Sequence, residues 1–164
     1  MQRTINLYAL SRVPSGDCFN QFEKAYSQRQ DKALTQDHEI SSLHHFVDWL
    51  MEEGVEIYQL DGFYFSFKIP QISKEFDLLK FNENECLNIE LKSEPVPETK
   101  IKDQLIKNRH YLSHIGKKIY SFTIETKTKT CYTLNEENEL EKCDTIKFVD
   151  LFCRFGRGLE IDMQ

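Results

Sequence analysis

No stretch of the chain is apolar over the length that a membrane crossing needs, and its first residues, Met-Gln-Arg-Thr-Ile-Asn-Leu-Tyr, lack the basic, apolar and small-residue zones of a secretory signal. These absences lead to the expectation of a cytoplasmic protein with no membrane partner. The five cysteines, Cys18, Cys86, Cys131, Cys143 and Cys153, are odd in number and include no Cys-x-x-Cys pair. Reduced, mostly buried thiols are therefore expected, not a disulfide framework, and none has the neighbours of a nucleophile. Repeats, low-complexity tracts and long flexible linkers are missing as well. Positive charge is short overall, and a net charge of −6 argues against coating nucleic acid by bulk electrostatics.

What is present suits one domain: 164 residues at 40% hydrophobic content can bury a core. Charge is unevenly spread. Lys100, Lys102, Lys107, Arg109, Lys117 and Lys118 face only Asp103 in their segment, a local surplus of five positive charges. One basic helix on an acidic body fits contact with a phosphate backbone at one place.

Spacing predicts a helix from Asp17 to Arg29, then a second with Ile40, Leu43, Phe46, Val47, Leu50 and Met51 on one stripe, ended by Gly54. Alternation begins at Val55 and continues through Phe63, Phe65 and Phe67, read as one inner face opposite Tyr64, Ser66 and Lys68, until Pro70. The segments around Asp77 and Glu90 are joined by Asn82-Glu-Asn-Glu85, which predicts antiparallel pairing. Thr99 is the expected cap of a helix from Lys100 to His114, closed by Gly116. Strands follow at 119–126 and 130–134, and Asp144 caps a last helix. The short central turns leave no room for helical crossovers, so an α/β (α+β) sandwich is expected instead of a doubly wound sheet. Its domain plan is N-terminal helices at about 15–54, a core at about 55–126 and a C-terminal extension at about 130–164.

Two apolar strands are interrupted by charge: Asp77 in Glu75-Phe-Asp77-Leu-Leu-Lys-Phe81, and Glu90 and Lys92 in Cys86-Leu-Asn-Ile-Glu90-Leu-Lys92. Charges beside a core are costly unless paired or bound to metal. Strand period sends Glu90 and Lys92 out of one face. Asp77 and Glu90 are thus candidate Mg²⁺ ligands, with the Leu91 carbonyl as a further ligand and Lys92 to orient the attacking water, the parts that phosphodiester hydrolysis needs. On the following helix, Gln104, Lys107, Asn108 and Tyr111 share helical spacing and, with Lys100, are expected to hold substrate phosphates. His110 and His114 have zinc-pair spacing but no evident third ligand.

The pattern Asp-x₁₂-Glu-Leu-Lys, with its polar turn and basic helix, resembles the PD-(D/E)xK nuclease superfamily, including its small bacterial members. The resemblance covers about 55–126. It implies a restriction-endonuclease-like core of order αβββαβ with a central mixed sheet, metal binding at Asp77 and Glu90, and a catalytic lysine at Lys92. Mg²⁺, replaceable by Mn²⁺, and DNA in preference to RNA are the implied cofactor and partner. An acidic residue on the preceding helix is also common there, and Glu23 is favoured over Glu39. Phe76 stands where many members have Pro. Exonuclease-like members have Tyr four residues after the helix Gln, whereas Asn108 occupies that step here. The function implied is a metal-dependent deoxyribonuclease, in a bacterial defence or helicase-associated setting. The alternative is an inactive module of the same fold that binds nucleic acid or protein. The apolar segment Phe148 to Phe155 is a candidate docking surface for a further protein.

Overall fold

The computed structural model describes residues 3–12, 37–69 and 74–159, with 37–40 by backbone alone. In chain order these form α1 (Leu7–Ser11), α2 (Asp37–Glu52), a 3₁₀ turn (Ile57–Leu60), β1 (Phe63–Ile69), β2 (Lys74–Phe81), β3 (Glu85–Lys92), α3 (Glu98–Leu112), a 3₁₀ turn (Ser113–Ile115), β4 (Lys118–Glu125), β5 (Thr130–Leu134), β6 (Leu140–Cys143) and α4 (Thr145–Arg154). The six strands form one sheet in sequence order. Only β3 and β4 pair in parallel, across α3, and the other neighbours are antiparallel. Short turns permit the antiparallel pairs, whereas the parallel pair needs the helical crossover. Among the described residues no helix is long and apolar enough to cross a membrane.

Two apolar layers sandwich the sheet. On one side α1, α2 and α4 bring Leu7, Leu10, Leu43, Phe46, Trp49 and Leu50, with Phe148 and Phe152, against Phe63, Phe65, Leu78, Ile89 and Phe122. Of the stripe expected on α2, Leu43, Phe46, Val47 and Leu50 are buried on this face and Met51 is partly buried against it. Trp49 lies parallel to Phe148 at 6.0 Å between centroids, and Phe152 stacks on Phe63 at 5.4 Å. The phenylalanines of α4, expected as a docking surface, are therefore core: the helix spends its apolar stripe on the sheet, leaving Ile146 as its exposed large apolar side chain. On the other side α3 buries Ile101, Leu105 and Leu112.

Local chemistry explains most boundaries. The Asn82 side chain accepts from the amides of Asn84 and Glu85, which fixes the β2–β3 turn. Asp144 caps α4 by accepting from the Ile146 amide. Thr99 does not cap α3, because Pro97 is the cap residue and the helix starts at Glu98. Residues 57–60 form a 3₁₀ turn where alternation had suggested a strand. The expected helix at Asp17 to Arg29 lies outside the described residues, as does Cys18. The other four cysteines are free, with Cys86 and Cys131 buried.

Candidate active site

Asp77 stands where the sheet changes parity. Pairing of β1 with β2 runs from Phe63↔Lys80 to Phe65↔Leu78, passes over Ser66 and Asp77, and resumes at Phe67↔Phe76. Ser66 has φ +52, a conformation that side-chain-bearing residues seldom adopt inside a strand. One consequence is that Phe67 joins Tyr64 in the α3-side layer instead of continuing the face of Phe63 and Phe65. Phe76 likewise joins Leu79 and Phe81. The even alternation expected for the three phenylalanines is thus broken at the residue facing Asp77.

Extending the β2–β3 register beyond Leu78↔Ile89 sets Asp77 beside Glu90. There side chains replace the ladder. The Asp77 amide donates to Glu90 Oε2 at 3.0 Å, and the Leu91 amide donates to Asp77 Oδ2 at 2.9 Å. Asn88 Nδ2 donates to Glu90 Oε2 at 3.1 Å, and Gln104 Nε2 donates to Oε1 at 3.0 Å. Glu90 is 1% exposed. Burial, then the neighbouring Asp77 charge, push its carboxyl pKa up to about 8 against the pull of the hydrogen bonds from the Asp77 amide and Asn88.

Asp77, Leu91 and Lys92 line a cleft of about 570 Å³ with Ser42, Phe65, Ser66, Ser93, Glu94 and Val96. Glu90 sits immediately behind that wall. Asp77, which lines the cleft, and Glu90, which does not, are hard oxygen donors whose mutual repulsion a divalent cation would relieve. Mg²⁺ commonly uses one or two carboxylates plus water, so Asp77 and Glu90 are the residues here that could hold it. Among the described residues no three His, Cys, Asp or Glu side chains group around one metal position, including His110 and His114. Glu23 lies outside the described residues, and the Glu39 side chain is not described.

Helix α3 departs from expectation in how it uses its face. Gln104 reaches the site, but by holding Glu90. Asn108 is fully buried and donates to Asn88 Oδ1 at 2.9 Å, so it is a strut beneath the sheet and not a phosphate contact. Tyr111 packs against the apolar layer of Phe76 and Leu112. Lys100 and Lys107 remain exposed. The rest of the basic surplus is partly committed: Arg109 donates to the Leu134 and Asn135 carbonyls, Lys102 pairs with Glu139, and Lys117 holds the Asn82 and Glu83 carbonyls.

Asn88 and Ser66 are site residues that the charge pattern did not single out. Asn88 carried a signal, since period 2 puts it on the face of Glu90. Ser66 carried only its place as a polar interruption among phenylalanines. Beside Asn88 and Glu90 in the parallel register stand Ser121 and Thr123, whose buried hydroxyls, like Asn108 Oδ1, lack partners among the described residues. Comparisons with protein-family models, with curated proteins and with solved structures find no match to this chain.

Proposed function

We propose that the chain is a Mg²⁺-dependent nuclease acting on DNA, with a restriction-endonuclease-like core. The observation that carries this reading is the pairing of Asp77 with the buried Glu90 where the β1–β2–β3 ladder opens, beside a cleft that Asp77 and Lys92 both line. The element order α2, β1–β3, α3, β4, with the acid on β2 and Glu-x-Lys on β3, supports it.

In this reading Asp77 and Glu90 hold the metal, with the Leu91 carbonyl available beside them. Bound Mg²⁺ supplies charge neutralisation on the phosphoryl oxygens and a more acidic water. Lys92, on the cleft wall, would orient an attacking water and offset charge in the transition state. Gln104 and Asn88 fix the Glu90 carboxylate from behind. Exposed Lys100 and Lys107 meet the DNA backbone.

Incubation of the purified chain with Mg²⁺ or Mn²⁺ and double-stranded DNA, single-stranded DNA or RNA tests the activity. Cleavage is expected on DNA, and Lys92→Ala should lower it by about 100-fold or more with the circular dichroism spectrum unchanged. Failure to cleave any of these substrates contradicts the reading.

The saturation of Glu90 by three donors favours a second reading, a non-catalytic module of the same fold. Metal-independent DNA binding that weakens with salt, without cleavage, is its signature.

A further inference from the structure

Away from this cleft, a second chemistry-bearing pair lies at the sheet edge. Cys131 and Cys143 are directly opposed in the antiparallel register of β5 and β6. Both thiols are free and both lie on the core side of the sheet, Cys131 buried and Cys143 half-buried. Opposed residues on antiparallel strands have Cβ atoms roughly 4.5–5.5 Å apart, so small strand adjustments bring the sulfurs to bonding distance. β6 is an edge strand of only four residues, which makes such adjustment easy. Cys143 Sγ donates to the Asp144 carbonyl at 3.5 Å.

We propose that Cys131 and Cys143 are a redox-active dithiol that closes to a cross-strand disulfide on reaction with a low-molecular-weight disulfide. Cys143 is the attacking thiol. Its pKa is lowered to about 7, first by the Cys131 hydrogen bond and also by Lys147, against burial and the charges of Asp144 and Glu141. The same contact and burial raise the Cys131 thiol. The Cys143 thiolate attacks one sulfur of the small disulfide, forming a mixed disulfide and releasing one thiolate. Cys131 then loses its proton to solvent and attacks the Cys143 sulfur, releasing the second thiolate. The protein dithiol is oxidised by two electrons and the small disulfide is reduced to two thiols. The product pins the edge hairpin covalently, and opposed-strand geometry keeps the bond strained and readily reduced.

Glutathione disulfide is the probe, applied to the full chain at pH 7.5, followed by alkylation and tryptic mapping. Cys131 falls in peptide 130–142 and Cys143 in peptide 143–147. A linked pair of these peptides is expected, with two free thiols lost per chain. Cys131→Ser should stop at a glutathione adduct on Cys143, whereas Cys143→Ser should give no adduct on Cys131. The linkage should reverse on adding dithiothreitol. A wild-type chain that yields no 130–142/143–147 linkage, or that is modified first at Cys86 or Cys153, overturns the proposal, and this reading needs no variant to fold.

Discussion

Glu90 shows how a single residue links stability to binding. Its carboxyl lies behind the cleft wall with Asp77 beside it, and its pKa rises from 4.5 to about 8. The folded state therefore keeps a proton between those values that the unfolded chain has released. The stabilising contribution is fully present below the unfolded value and is lost as pH rises through the folded one. Unfolding free energy should fall by on the order of a few kcal/mol between pH 5 and pH 8. Glu90→Gln should remove most of that dependence, since an amide oxygen still accepts from Asp77 and Asn88 and the amide nitrogen can meet a flipped Gln104. Urea denaturation at several pH values measures both. A wild-type profile no steeper than that of Glu90→Gln would place Glu90 outside this account.

At the scale of elements, the matched irregularity of β1 and β2 is what turns Asp77 toward the cleft. Ser66 at φ +52 is the pivot. A left-handed conformation costs an ordinary residue about 1–2 kcal/mol, and more with β-branching. Ser66→Val should destabilise the chain by about 2 kcal/mol or more, while Ser66→Gly should stay within about 1 kcal/mol of wild type. Equilibrium unfolding decides, and equal effects of the two would contradict the pivot.

These elements also show what a sequence discloses. The charges of Asp77, Glu90 and Lys92 interrupt apolar runs and so announce themselves, and Asn82, Asp144 and Gly116 mark a turn, a cap and a helix end by short-range chemistry. The flip at Ser66 depends on β2 irregularity opposite it, so period 2 within β1 wrongly carried Phe67 onto the face of Phe63. Helical spacing grouped Gln104, Lys107, Asn108 and Tyr111. It could not reveal that Asn88 would draw Asn108 inward while Lys107 stayed in water. The fate of Phe148 and Phe152 was hidden for the same reason: an apolar stripe requires a cover, and only the position of α2 and β1 identifies it.

Across the whole molecule, the C-terminal turn closes the sheet that carries the site. Lys80, fully buried on β2, donates from Nζ to the Gln59 carbonyl at 2.8 Å and to the Gly156 carbonyl at 2.5 Å, over the ring of Phe63. Desolvation lowers its pKa to about 8. Leu159 donates its amide to Phe81, and a Cβ on Gly62 would lie 1.9 Å from the Arg157 carbonyl oxygen. One lysine thus joins the 3₁₀ turn, β2 and the turn after α4. Lys80→Ala, which leaves two carbonyls unpaired beside a void, should destabilise by about 3 kcal/mol or more. It should also raise amide exchange at 156–159, whereas unchanged exchange there would show the seam to be held by other contacts.

At the centre of the proposed function is a cation held by Asp77 and Glu90 in competition with the Glu90 proton. Calorimetric titration of the full chain with Mn²⁺ at pH 6 and pH 8 tests it directly. One site per chain is expected, tighter at pH 8 by roughly tenfold to a hundredfold as the competing proton leaves, and lost in Asp77→Asn. Absence of binding at both pH values, or binding that Asp77→Asn leaves unchanged, would contradict it.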